Sequence, residues 1–280
     1  MLPGDVEVGD RLVTHPDVAM IHFTGSTAVG RQIARTAGGL LKKVSLELGG
    51  NNALIVLDDA DLDQAAMIGA WSSFHYQGQT CISAGRHIVT EGIAPAYIDA
   101  LAKRASAITV GNTLTEEVGL GPMINQRQLD RAAGLLADAV EGGATVVAGG
   151  TVNAPFFQPT VVTGVPTSSA LWTEEIFAPI APVVVVSDAD EAVALANDTG
   201  YGLVNSVVTA DLFRGGEIAR QLRAGMVHVN DATPQDEAAA PFGGIGQSGL
   251  GGRSGGDANL EEFTERRWLT LNPGPVHYPY

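Results

Sequence analysis

Cysteine is almost absent: Cys81 stands alone in 280 residues. One thiol cannot form an intrachain disulfide or a multi-cysteine zinc site, and it fits a reducing compartment such as the cytoplasm. Basic residues are scarce too, 16 Lys and Arg against 31 Asp and Glu, for a net charge of −15. A surface that acidic repels phosphate backbones and anionic membranes, which argues against nucleic-acid or membrane partners. No uninterrupted apolar run approaches the roughly 18 residues of a membrane span. Residues 1–10 lack the basic start and apolar stretch of a secretory signal. The six histidines, at 15, 22, 75, 87, 228 and 277, show no metal-ligand spacing, so no metal is expected.

What is present reads as alternating strands and helices. A strand over 18–23 ends at Thr24-Gly25-Ser26, with Ser26 a natural helix cap. Val29, Ile33, Ala34 and Ala37 then recur at helical spacing, and Gly38-Gly39 stops the helix. Strands follow over 43–48, 53–57, 86–90, 144–148, 182–186, 203–209 and 226–230. Helices lie between them, over about 61–75, 95–108, 126–140, 190–197 and 212–222. The alternation predicts an α/β fold with a mostly parallel sheet. Residues 243–256 form a glycine-dense loop too long for a hairpin, which suits a wrapping functional loop. The tail over 263–271 alternates as a strand with Trp268 in it, an edge suited to pairing with another subunit.

Three residues stand out for chemistry. Cys81 lies among Gly78, Gln79, Thr80 and Ser83, a polar turn unlike the apolar settings that structural cysteines favour. A cysteine nucleophile needs a base or a lowered pKa, and His75 and His87 flank it six positions away, which makes a Cys–His hydrolase one reading. Glu47 sits inside a predicted core strand just before Gly49-Gly50. It is either an outward-facing residue, on the face of Ser45, or a base at a strand's C-terminal end, where α/β folds place their sites. Glu175 is most simply a solvated turn residue. Thr24-Gly25-Ser26, at a helix N-terminus, could hold a phosphate.

Taken together these segments resemble the aldehyde dehydrogenase superfamily. The resemblance rests on Phe23-Thr24-Gly25-Ser26, Leu46-Glu47-Leu48-Gly49-Gly50-Asn51, Gly78-Gln79-Thr80-Cys81, Glu174-Glu175-Ile176-Phe177-Ala178-Pro179 and Pro241-Phe242-Gly243-Gly244, in that order. It runs from about Val18 to Leu271. Phe74-His75-Tyr76-Gln77-Gly78-Gln79 and the segment from Asn259 to Trp268 are similar to the benzaldehyde or aromatic-aldehyde branch.

The resemblance implies a catalytic domain of aldehyde dehydrogenase type over 49–250. It implies a partial Rossmann-like NAD(P)-binding domain over 1–48, and a C-terminal loop and oligomerisation strand over 251–280. It implies oxidation of an aldehyde to the acid with NAD or NADP. Cys81 would be the nucleophile and Glu47 the base that activates water. Gly25 and Ser26 would approach the cofactor diphosphate, Glu175 the nicotinamide ribose, and Phe177 and Leu48 the nicotinamide ring. A homodimer or homotetramer in the cytoplasm is implied as well. Two departures accompany it. The family's early nucleotide-domain strands, a lysine at the adenosine ribose, a second oxyanion donor and a protruding hairpin have no counterparts here, so the chain is expected to be N-terminally truncated. An inactive or partner-dependent fragment is therefore a second reading. In addition Arg253 is followed by Ser254, where many relatives carry a glutamate.

Overall fold

The computed structural model describes residues 1–280. It opens on a helix that the sequence reading passes over, Val6–Thr14 (α1), whose first N–H is held by the Asp5 carboxylate at 2.8 Å. Met20–Thr24 (β1), Thr27–Gly39 (α2) and Lys43–Glu47 (β2) then form the expected β-α-β unit with parallel strands. Ser26 caps α2, its hydroxyl accepting from Val29 N at 3.4 Å. Val13, Ile21 and Ala37 make a small core between α1, β1 and α2.

The chain continues through Asn52–Val56 (β3), Leu62–Phe74 (α3), Ala84–Thr90 (β4), Ala94–Ala107 (α4), Gln126–Glu141 (α5) and Thr145–Ala148 (β5). A short hairpin, Val152–Asn153 (β6) and Phe156–Phe157 (β7), leads to Thr160–Thr163 (β8), Ala170–Thr173 (α6) and Ile180–Val186 (β9). Ala189–Asn197 (α7), Val204–Val208 (β10), Leu212–Ala219 (α8), Met226–Val229 (β11), Gly249–Leu250 (β12) and Gly256–Glu262 (α9) complete it. Seven strands form one sheet in the order β11-β10-β3-β4-β9-β8-β5, parallel except for the β5–β8 pair. The predicted α/β class with a mostly parallel sheet is thus observed.

Burial on both faces explains the continuous apolar strands. On β3, Leu54 and Val56 face one layer with Ile68, Phe74, Tyr97 and Leu101 of α3 and α4. Ala53 and Ile55 face the opposite layer with Leu129, Leu136, Ala192 and Ile218 of α5, α7 and α8. A second, three-stranded sheet runs β1-β2-β12, and β12 joins it antiparallel to β2. The glycine-dense loop therefore returns to the N-terminal β-α-β unit.

The tail departs from expectation. Residues 265–271 adopt no strand, and Trp268 is 93% exposed. Alternation alone does not make a strand, because its N–H and C=O groups need a neighbouring strand to bind, and none lies alongside.

His87, on β4, is fully buried among polar partners. Its Nδ1 pairs with the Tyr97 hydroxyl and its Nε2 with the Ser73 hydroxyl, each at 2.7 Å. Burial pushes its pKa from the ordinary 6.5 down to about 3. The unfolded chain takes up a proton that the fold refuses, so stability is full above pH 6.5 and falls as the pH drops towards 3. His87→Leu should cost about 1–3 kcal/mol in urea unfolding at pH 7, by orphaning the buried Tyr97 hydroxyl, while Ser73 keeps its bond to Ala84 O. It should also flatten the acid limb below pH 6.5, and an unchanged limb would count against this account.

Candidate active site

Glu47 closes β2, and strand pairing fixes the chain on either side of it. Gly25 N donates to Glu47 O at 3.0 Å, and Leu48 N donates to Ser248 O at 2.9 Å. The outward-facing reading is excluded, since Glu47 is 7% exposed and Ser45 1%. Glu47 Oε2 is buried with no hydrogen-bond partner. Burial pushes this carboxyl up to about 7, against the pull of the Arg253 guanidinium. A carboxyl of that acidity exchanges its proton near neutrality, as a general base must.

Cys81 sits on a tightly braced turn. Ser83 N donates to Thr80 O at 3.1 Å, and the Thr80 and Ser83 hydroxyls pair at 2.6 Å. From β3, Asn52 Nδ2 donates to Cys81 O at 2.8 Å and to Ser83 O at 2.7 Å. The sequence reading passes over this strut, because an asparagine at a strand start resembles any turn residue. Burial first, then the Glu175 and Glu47 carboxylates, push the thiol up to about 11, while the backbone N–H groups of Cys81 and Ile82 pull the other way. The thiol therefore rests protonated, and attack requires a base to remove that proton.

Cys81 and Glu47 stand together where two cavities meet, a cleft of about 980 Å³ and a smaller one of about 300 Å³. Gly25, Ser26, Glu47, Leu48, Cys81, Glu175 and Phe177 all line the larger cleft. The solvated-turn reading of Glu175 is corrected here. Its carboxylate turns into the cleft, Oε1 accepts from Gly50 N at 3.2 Å, and burial pushes its pKa up to about 7. The Cys–His pairing is overturned as well. His75 stacks on the Trp71 ring at 4.2 Å, His87 is engaged in the core, and neither lines the thiol's cavities.

Two residues of the cleft, Gln128 and Arg131, carry no motif. Phe177 holds a φ of 55°, a strained value for a non-glycine residue. Gln128 Nε2 secures that turn by donating to Phe177 O at 2.9 Å, and Arg131 Nη1 donates to Ile176 O at 3.1 Å. Gln128 and Arg131 are three apart on α5, hence on one face. A polar helix face reads as solvent-facing until a loop is packed on it.

The cleft fits a dinucleotide. The α2 N-terminus opens into it at Gly25 and Ser26, a setting for a diphosphate. The Glu175 carboxylate suits ribose hydroxyls. At Gly49 the backbone is bare, because a Cβ there would lie 2.2 Å from Glu175 Oε2.

A model of the aldehyde dehydrogenase family matches residues 1–269. The chain belongs to the aldehyde dehydrogenase family. It is 47% identical over 281 residues to a vanillin dehydrogenase of Amycolatopsis sp., covering 100% of this chain and 58% of that protein. It is 46% identical over 280 residues to a benzaldehyde dehydrogenase [NAD(+)] of Pseudomonas putida, with the same two coverages. Among solved structures, the NAD-dependent aldehyde dehydrogenase from Sinorhizobium meliloti superposes with a TM-score of 0.94 at 33% identity, over 98% of this chain and 55% of that one. The chain thus spans a little over half the length of these aldehyde dehydrogenases.

Proposed function

We propose that the chain carries the thiol centre of an NAD- or NADP-dependent aldehyde dehydrogenase that oxidises an aromatic aldehyde to its acid. The reading rests on Cys81 and Glu47 sharing two cavities, and it is supported by Gly25, Ser26 and Glu175 lining the larger one. Its aromatic substrate is supported by the vanillin and benzaldehyde dehydrogenases among the relatives.

In this reading Glu47 takes the Cys81 proton, and Sγ bonds to the aldehyde carbon as the carbonyl pair moves onto oxygen. The Cys81 N–H donates to that oxyanion, an interaction of a kind whose loss costs roughly 10²–10³ in rate. When bound, the oxidised dinucleotide supplies the hydride acceptor. With that acceptor held at Gly25, Ser26 and Glu175, loss of the hydride as the oxyanion collapses would leave a thioester on Cys81. Glu47, having released the thiol's proton to solvent, then draws one from water as the water oxygen bonds to the thioester carbon. The C–S bond breaks, the acid leaves, and the thiolate recovers a proton from Glu47.

A cytoplasmic homo-oligomer belongs to the same proposal. Supporting it are the exposed apolar tail residues Trp268, Leu269 and Leu271, and the lack of any helix long and apolar enough to cross a membrane.

Calorimetric titration with NAD and NADP, paired with reduced-cofactor absorbance on benzaldehyde, tests the proposal. One dinucleotide should bind and benzaldehyde should be oxidised; binding of neither would overturn it. Gly49→Ala should weaken that binding about 10- to 100-fold, by pushing Glu175 off the ribose position. An unchanged Kd in the alanine variant would remove Glu175 from the cofactor site.

A further inference from the structure

Glu262 is a buried carboxylate outside the thiol centre. It ends α9, is 6% exposed, and its Oε1 has no hydrogen-bond partner. Its Oε2 pairs with Lys43 Nζ at 3.2 Å, and the same ammonium donates to the Glu262 carbonyl oxygen. Lys43 begins β2, the strand that ends at Glu47.

The carboxylate lies against bare backbone. A Cβ on Gly252 would come within 2.3 Å of Glu262 Oε2, and one on Gly251 within 3.1 Å of Oε1. Those glycines follow β12, which is paired to β2. The next residue is Arg253, whose Nη1 donates to Gly244 O at 2.7 Å. Arg253 Cδ and Glu47 Oε1 each lie 2.8 Å from the same point, the Cβ position of Gly243. The arginine side chain therefore runs alongside the Glu47 carboxylate. Phe242 and Ser254 pair their backbones on the far side, with Ser254 N donating to Phe242 O at 2.9 Å. Between these two anchors, Glu262 is the charged side chain that meets the Gly251–Gly252 bend, and Lys43 is its ion-pair partner.

We propose that Lys43 and Glu262 form a positioning clip that holds the Arg253 guanidinium beside Glu47. The inference rests on Glu47 acting as the base. Arg253 is the cation beside Glu47; the other titratable groups on the two cavities that Glu47 lines are Cys81, Glu174, Glu175, Tyr201, Asp236, Glu237, His22 and Arg131, and Arg131 is turned to Ile176 O and the Glu174 carboxylate. Release of the arginine leaves Glu47 among acids and buried surface, and it then holds its proton to higher pH.

Hydrolysis of p-nitrophenyl acetate by the full chain reads this without cofactor, since the nitrophenolate burst reports acylation of Cys81 and the steady rate reports deacylation. The wild-type deacylation rate should rise through a midpoint near neutrality that Glu47→Gln abolishes. Glu262→Gln and Lys43→Met should each raise that midpoint by about one pH unit. Deacylation at pH 7 should then be several-fold slower, with the burst amplitude kept. Arg253→Met should give the same displacement, Glu262→Gln/Arg253→Met no more than either alone, and Lys43→Arg should restore the wild-type midpoint. Lys43 is partly exposed, so its substitutions test the clip even where Glu262→Gln impairs folding.

An unmoved midpoint in the Lys43→Met and Glu262→Gln proteins overturns the clip, whatever happens to Tm. Additive displacements in the double variant overturn it too, because they would place the clip and Arg253 on separate paths. A wild-type profile identical to that of Glu47→Gln removes the base itself, and the clip with it.

Discussion

Replacing Cys81 with alanine eliminates aldehyde oxidation, a loss of roughly 10⁴- to 10⁶-fold in turnover, while dinucleotide affinity stays within about twofold. The size follows from what the thiol does. An aldehyde hydrogen leaves as hydride only from a tetrahedral carbon bearing an oxyanion, and Sγ is the group that creates that carbon. The chain has no second thiol to replace it, and the imidazole on these cavities, His22, has its Nδ1 engaged with the Ser45 hydroxyl at 3.0 Å. The proposed diphosphate and ribose contacts at Ser26 and Glu175 do not involve the thiol, so cofactor binding serves as the internal control. Turnover above a few thousandths of the wild-type rate in Cys81→Ala would sink the assignment. A high pKa at rest is compatible with this role. With burial and two carboxylates pushing the thiol up to about 11, it stays protonated and resists oxidation between turnovers.

Much of this centre could be read from the chain, and the reasons are local. Strands buried on both faces are rich in apolar and β-branched residues, so β3 and β9 are visible as apolar runs and β4 and β10 by their Val and Ile clusters. Ser26 announces the start of α2 because a cap is a residue-level device. The Glu47 and Cys81 motifs carry their own glycines and small polar residues, which is what a site built from bare backbone requires. What escaped depends on contacts between distant segments. Burial of Glu47 is set by β12 arriving 200 residues later, and a five-residue strand with one acid reads equally well either way. Gln128, Arg131 and Glu262 each lie among other charged or polar residues, as on any solvated helix, and only the loop packed on each gives it a task. The tail failed in the opposite sense: its alternation is real, but pairing is a property of two strands.

Replacing Glu47 with glutamine separates the two halves of the reaction. Thioester formation slows, because the thiol loses the base that takes its proton, but it still completes one turnover; deacylation falls by about 10²- to 10⁴-fold, and the acyl-enzyme accumulates. Mass measurement of the trapped protein after mixing with cofactor and aldehyde, or with an activated ester alone, detects the acyl group on Cys81. The pH dependence supplies the second test. Burial raises the Glu47 carboxyl to about 7 from 4.5, so wild-type deacylation should climb as pH rises through 7 and level off above it, and the glutamine protein should be flat across that range. Stability should move the opposite way. A carboxyl whose pKa is raised by folding binds more protons in the fold than in the unfolded chain between pH 4.5 and 7, so the fold loses stability across that window and carries the full penalty above it. Glutamine has no charge to desolvate, and Glu47→Gln should therefore be more stable than wild type by about 1–3 kcal/mol at pH 8. The two proteins should be equal at pH 4. A gain in stability at pH 8 together with a stalled acyl-enzyme would mean that the unpaired, buried carboxylate is kept for catalysis at the expense of the fold. Equal stability at pH 8 would show that Glu47 has found a partner for its charge, and a carboxylate with such a partner loses the near-neutral acidity that makes it a base.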